Sequence, residues 1–419
     1  MVRIPVGRRA VFIVSAPDLV RRVFVDAREQ YPKSDLMRTA LGPLVGEGIL
    51  VSDGETWQHD RAMLEPAFAH MRLEAMFPQM QAAVVEHSER LRALGNGALI
   101  DLEQELSHVT SDIIFRVIFS QPIDGAAAAE VFGAFMRYQR GAPQFDLPVI
   151  LRSDPDHPEP PDATVADDAR AVRRLIGRLL DERLAALAAG QRFVDFAQAA
   201  IDARDSAGQP FSRDQLIDQL TVLFLAGHET SASALTWTVF MLSQQPHVLQ
   251  SVREELSAVL GERPMAFADA RALGMTRNVF REALRLYPPA AFLTRRAAAA
   301  DRLDGIAVPR GALLVVSPWV VHRHQALWAQ PGRFLPERFD DSAVSIRPGT
   351  YIPFGLGPRV CTGAAIAQLE GQLILAEHLR CFDFEPVAPE RVRPVSRVTI
   401  RPAGGMRCRV WLRAGSSAG

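Results

Sequence analysis

Of the three cysteines in the chain, Cys361 is placed where its sulfur can do chemistry. It closes the run Phe354-Gly-Leu-Gly-Pro-Arg-Val-Cys-Thr-Gly363, a glycine loop leading straight into the apolar-periodic stretch Ala364 to Leu379. Gly355 and Gly357 allow a tight backbone path, and Gly363 allows close approach of the backbone. The spacing puts Cys361 at or just before a helix N-terminus, where the dipole and free N–H groups favour a thiolate. A thiolate held this way suits a soft or borderline metal, and haem iron is one recipient. The competing reading is a buried inert cysteine after a glycine-rich turn.

A second group of reactive side chains lies inside a long apolar stretch. Ser212 and Gln215 form a capping-box pattern after Pro210, and helical periodicity then runs to about Ser243, with Pro246 beyond it. The middle is apolar on most faces, so the helix is buried, and Glu229 and Thr230 within it need an explanation. The Thr230 hydroxyl can bond back one turn or break that bond and donate elsewhere. Further upstream, Trp57 and Arg61 are four apart on one helix face, and both donate hydrogen bonds to carboxylates. Glu282 and Arg285 share a helix face at i,i+3, and Arg338 follows in Pro336-Glu-Arg-Phe339. Taken alone, each of these pairs reads equally well as ordinary packing or a solvated face.

Together they resemble one family. Phe354, Gly357, Arg359, Cys361 and Gly363 match the spaced signature F-x-x-G-x-R-x-C-x-G of the cytochrome P450 haem-thiolate monooxygenases. Ala226-Gly-His-Glu-Thr230 resembles the family's oxygen-side helix motif, and Glu282-x-x-Arg285 with Arg338 resembles its E-x-x-R charge cluster. The resemblance runs from about residue 10 to 412 in the expected order. It implies haem b (iron protoporphyrin IX) with Cys361 as axial ligand, and Phe354, Gly355, Ala226, Gly227 and Gly363 around the ring. It implies propionate anchors at Trp57, Arg61, Arg359 and Arg296. Arg295 is the rival of Arg296, since in an extended segment neighbours point to opposite faces. Gly227 is expected to leave room for dioxygen, with Glu229 passing protons from solvent and Thr230 donating to bound oxygen. His228 is read as a variable position near the bend, and His59 as surface. Phe292 and Leu293 are expected to border the substrate pocket.

The elements that must position these groups follow from periodicity. Helices are expected at about 55–70, 73–94, 103–119, 126–140, 165–189, 212–243 and 275–287, and after Cys361. A strand is expected at Ala10 to Ala16, opening into a helix at Pro17-Asp18. Ala40 to Ser52 reads as a glycine-punctuated loop, and Gly311 to Trp319 as a strand. Pro143 to Asp162, with its prolines, reads as an exposed loop that the resemblance places over a substrate entrance. Residues 382–412 read as short edge strands. The expected fold class is mainly α with a smaller β-rich region (α+β), the cytochrome P450 fold. Residues 1–419 form one domain in this reading, with haem between the central helix and the cysteine-loop helix.

Composition bounds the function. At 419 residues and 48% hydrophobic, the chain can bury a large core and an apolar cofactor. A net charge of −1 gives no reason to expect nucleic acid. Lys33 is the sole lysine, so the basic residues are otherwise arginine. Three cysteines in a chain this long argue against a disulfide framework and for a reducing cytoplasm. No stretch has the charge-free length of a membrane span. The resemblance implies an apolar substrate (fatty acid, terpenoid or steroid-like), hydroxylated or epoxidised with O2. With little chain after the closing strands, electrons are expected from NAD(P)H through a separate ferredoxin and ferredoxin reductase. Two other readings stay open: a peroxide-driven peroxygenase of the same fold, and a non-catalytic haem-thiolate sensor or carrier.

Overall fold

The computed structural model describes residues 1–6, 9–68, 70–123, 126–141, 162–340 and 346–413. The proline-rich stretch expected to cover a substrate entrance lies outside the described residues, apart from Asp162. That aspartate caps the next helix by accepting a hydrogen bond from the Thr164 amide.

The described chain is mainly helical with small separate sheets. In order, the helices are α1 Pro17–Arg21, α2 Asp35–Val45, α3 Gly54–Leu64, α4 His70–Ala93, α5 Leu102–Phe119, α6 Ala126–Gly141 and α7 Ala163–Ala188. They continue as α8 Phe196–Asp202, α9 Arg213–Ser243, α10 Pro246–Leu260, α11 Gly274–Leu286, α12 Pro318–Val321 and α13 Ala364–Cys381. The 31 residues of α9 span about 46 Å. Its capping box forms as the sequence predicts: Ser212 Oγ accepts from the Gln215 amide, and the Gln215 side chain accepts from the Ser212 amide.

α9 packs against α5, α7, α11 and α13. One apolar core lies among α4, α5, α9, α10, α11 and α13. A second joins α2, α5, α6, α7 and α8 to the N-terminal half of α9. α5 and α9 therefore belong to both cores, which is why α9 is buried on nearly every face. Among the described residues no helix is long and apolar enough to cross a membrane.

The largest sheet has the order β1 (Val2–Val6), β2 (Arg9–Ile13), β7 (Leu313–Val316), β4 (Leu293–Arg296). β2 and β7 run parallel, and the other two pairings are antiparallel. β5 (Asp301–Leu303) pairs with β6 (Ile306–Val308), β9 (Pro394–Ser396) with β10 (Ile400–Pro402), and β11 (Arg407–Leu412) lies between β3 (Ala98–Asp101) and β8 (Phe382–Pro386).

Three expectations are corrected. The N-terminus forms a hairpin, β1 with β2, rather than one strand; Pro5 is tolerated because β1 is an edge. β11 is a central strand, not an edge, and it carries no proline. Ala40 to Ser52 begins as helix, because Leu41, Leu44 and Val45 form a buried stripe that outweighs Gly42-Pro43. The chain leaves that helix at Gly46, whose φ of +56° ends it.

Candidate active site

The cysteine loop is built by its glycines. The Cys361 amide donates to the Phe354 carbonyl at 2.9 Å, closing the loop. Gly355 and Gly357 have φ of +79° and +74°. A Cβ on Gly357 would fall 2.3 Å from the Phe24 carbonyl oxygen, so only glycine lets the loop sit against the segment after α1. Cys361 is exposed, yet protein surrounds it closely enough that burial pushes its thiol up. The Gly363 amide and the charge of Arg61 act the other way and lose. Burial thus favours the neutral thiol, and a bound metal would favour the thiolate instead.

α3 meets this loop. The Arg61 guanidinium donates to the Val360 carbonyl at 2.9 Å, and Arg359 lies over the Trp57 ring at 4.2 Å. Arg359 also donates to the Ser52 carbonyl at 2.9 Å and pairs with Asp53. Asp53 caps α3 by accepting from the Gly54 amide, and its other oxygen accepts from the Lys33 amide.

Two further cations join this group, Arg295 and Lys33. Arg295 is buried with its guanidinium 4.2 Å over Phe24; burial and the nearby Arg359 push it down to about 10. Lys33 bridges to Arg295 through the backbone, and burial, Arg359 and Arg295 push its ammonium down to about 7. Asp53 opposes that shift without cancelling it. Arg296 points the other way, with a 3.4 Å contact to Asp35 and its side chain 44% exposed. Arg295, not the expected Arg296, thus faces this group: strand alternation in β4 puts one residue inside and the next outside. Lys33 was legible as the sole lysine; nothing local marked its position.

On α9, Ala226 is exposed, with Leu225 buried before it and Gly227 half-buried after it. Thr230 Oγ1 donates to the Ala226 carbonyl at 2.8 Å. A Cβ on Gly227 would lie 2.5 Å from Ile114 Cδ1, so this glycine serves the packing of α9 on α5. That differs from the expected role of clearing space for dioxygen, and Ala226 is the small residue on the open side. His228 is fully buried among Phe132, Phe135 and Phe224, and burial pushes it down to about 4. It is a core residue. Glu229 is buried too: its Oε1 accepts from Thr399 Oγ1 at 3.0 Å and pairs with Arg401 at 2.8 Å. It does not reach solvent directly, contrary to expectation. Beside Thr230, Ser231 donates to Glu370 at 2.6 Å, tying α9 to α13 nine residues beyond Cys361.

Glu282, Arg285 and Arg338 come together as one buried cluster. Arg285 pairs bidentately with Glu282 at 2.7 and 2.8 Å, and Arg338 reaches it at 3.3 Å. The remaining Arg285 donors satisfy the carbonyls of His322, Pro331 and Arg333. Phe292 and Leu293 are half-buried at the start of β4, packed against neighbouring cores.

Cys361 lies beside a group of cations, Arg61, Arg295, Arg359 and Lys33, with Asp53 and Glu65 as their near carboxylates. Among the described residues no group of three or more His, Cys, Asp or Glu side chains could hold a bare metal ion. A lone thiolate fits a metal whose other ligands come with a macrocycle, and the surplus of cations fits that macrocycle's carboxylates. The fold and the site define a haem-thiolate protein.

Comparison with known proteins agrees. The cytochrome P450 family model matches residues 1–406. Cyclooctatin synthase of Streptomyces melanosporofaciens is 31% identical, aligned over 97% of this chain and 87% of that protein. Pentalenene oxygenase of Streptomyces avermitilis is 28% identical over 99% of this chain and 90% of that protein. A cytokinin hydroxylase of Arabidopsis thaliana is 29% identical over 96% and 78% respectively. The chain belongs to the cytochrome P450 family and is a monooxygenase.

Proposed function

We propose that this monooxygenase inserts one atom of O2 into a C–H bond or double bond of an apolar small molecule. Haem b supplies the oxygen-activating chemistry when bound. Cys361 would ligate its iron, and Phe354, Gly355, Ala226 and Gly363 would line its site. Trp57, Arg61, Arg359 and Arg295 hold the propionates, and Lys33 joins them. Glu229 and Thr230 handle protons on the opposite side: Thr230 gives up its bond to the Ala226 carbonyl to donate, and Glu229 supplies the proton. Phe292 and Leu293 border the substrate. Electrons come from NAD(P)H through a separate ferredoxin and its reductase, and residues 1–419 act as one domain.

The observation that carries this reading is the cation surplus beside Cys361, since a buried excess of positive charge calls for an anionic ligand. The names of two Streptomyces relatives, an oxygenase acting on pentalenene and a synthase of cyclooctatin, support a small organic substrate. The Glu229–Thr230 pair favours dioxygen over peroxide as oxidant, because it can deliver the protons that O–O cleavage requires.

The test is the absorption spectrum of the reduced holoprotein with carbon monoxide. A strongly red-shifted Soret band is expected, and Cys361→Ser should abolish it. A Soret band at the position of histidine-ligated haem, or no haem uptake, would overturn the assignment of Cys361.

A further inference from the structure

The C-terminal hairpin of β9 and β10 carries no motif, yet it reaches α9 at the residue read above as proton donor. Oε1 of Glu229 accepts from Thr399 Oγ1 at 3.0 Å and from Arg401 Nη2 at 2.8 Å. Arg401 Nε in turn donates to Thr399 Oγ1 at 3.3 Å, so the two hold one another as well as the carboxylate. Oε2 of Glu229 is buried with no partner among the described residues. A buried carboxylate oxygen without a donor is costly, so the asymmetry needs a reason. On the far side of Arg401, Nη1 meets Glu103 Oε1 at 3.3 Å. Glu103 and Arg401 are partly open to solvent, with side chains 15% and 19% exposed, whereas that of Glu229 is 3% exposed.

We propose that Arg401 and Thr399 are positioning residues for Glu229: they hold Oε1, leave Oε2 to carry the transferable proton, and share Arg401 with Glu103 at the solvent side. This rests on the reading of Glu229 as proton donor. The geometry makes Arg401 the shared cation of an inner and an outer carboxylate. When Glu103 is neutral, Arg401 has Glu229 as its one anionic partner and holds it harder. When Glu103 is ionised, that hold is divided. The charged groups facing Glu103 are Asp101 on its own segment, Arg397 and Arg401 on the hairpin, and Glu229 on α9. Burial, against the pull of Arg401, pushes Glu103 up to about 7, so the division changes across neutral pH.

The proposal is tested on the full-length haem-loaded protein by pH-difference infrared spectroscopy and by NAD(P)H-driven oxygen consumption with added ferredoxin and reductase. The wild type should show a protonated-carboxyl band that disappears as pH rises through about 7 and is missing in Glu103→Gln. Glu370, pushed up to about 8, supplies a reference band present in every variant. Arg401→Gln should add a new protonated-carboxyl band at neutral pH, because a buried carboxylate without its cation takes up a proton. The Arg401→Gln, Glu229→Gln double variant should lack that band. Oxygen consumption should fall about tenfold or more in Arg401→Gln and recover to within a few-fold in Arg401→Lys. Its inflection near neutral pH should vanish in Glu103→Gln. Thr399→Val, which removes one donor, provides a milder probe should Arg401→Gln lose haem. No new band in Arg401→Gln, or a band with wild-type oxygen consumption while Glu229→Gln is impaired, overturns the positioning role alone. If Glu229→Gln also behaves as wild type, the proton-donor reading falls with it.

Discussion

At the scale of single residues, charge placed without water decides most of what this site can do. Lys33 is the clearest case. It is pushed down to about 7 by burial and by Arg359 and Arg295. A base whose folded value is depressed binds fewer protons folded than unfolded between about 7 and 10.5. Without haem, its contribution to stability is therefore smallest below pH 7 and grows as pH rises through that window. Haem propionates would reverse the penalty by supplying anions. Denaturant unfolding of the haem-free protein should thus show stability rising from pH 7 to 10, and Lys33→Met should flatten that rise. The same variant in holo form should lose haem to apomyoglobin faster than wild type. A rise of equal slope in Lys33→Met would remove Lys33 from the cradle. Cys361 has the same lesson with the opposite sign: burial raises the thiol, and a bound metal would favour the thiolate.

At the scale of elements, close helix approach constrains the oxygen-side motif as strongly as chemistry does. α9 lies so near α5 that a Cβ on Gly227 would meet Ile114 Cγ1 at 2.7 Å as well as Cδ1 at 2.5 Å. Thr110 adds a hydrogen bond across the same pair, from its hydroxyl to the His228 carbonyl at 3.0 Å. Gly227→Ala should therefore destabilise the protein by about 1–3 kcal/mol through overpacking. Ile114→Ala in the same chain should recover part of that loss, a non-additivity visible in a double-mutant cycle by denaturant unfolding. Additive losses would mean that Gly227 matters for the open side of the helix instead. The charge cluster on α11 works in the same way at longer range. Glu282 binds Arg285, Arg338 and the Leu335 amide at once, fixing the segment that precedes the cysteine loop.

At the scale of the whole molecule, the site faces two ways. In the proposed reading the cysteine loop lies on one face of the haem and α9 on the other, with the C-terminal hairpin behind Glu229. With a ferredoxin, its reductase and NAD(P)H supplied, the protein should consume oxygen, while peroxide alone should support little turnover of an apolar substrate. Thr230→Ala in the same assay should raise the peroxide formed per electron delivered, since in the proposed reading its hydroxyl is the donor toward oxygen. Efficient peroxide-driven turnover with no response to redox partners would establish the peroxygenase reading. Unchanged peroxide yield in Thr230→Ala would leave that threonine bonded to the Ala226 carbonyl and idle.

The sequence alone determined what depends on near neighbours. The glycine loop around Cys361, the capping box of α9, the shared faces of Trp57 with Arg61 and of Glu282 with Arg285 all follow from spacing within a few residues. Helix existence was legible for the same reason, because amphipathic periodicity is local; the helix through Gly42-Pro43 was missed because its breakers are local while the core that overrides them is not. What needed the tertiary structure were contacts between distant segments. Whether Arg295 or Arg296 faces inward depends on which side of β4 meets Lys33 and Phe24. That Glu229 is clamped by Arg401 joins residues far apart in the chain, and no periodicity encodes such a pair. Local pattern fixes which side chains share a face, whereas burial and pairing of charge depend on what the rest of the fold brings against that face.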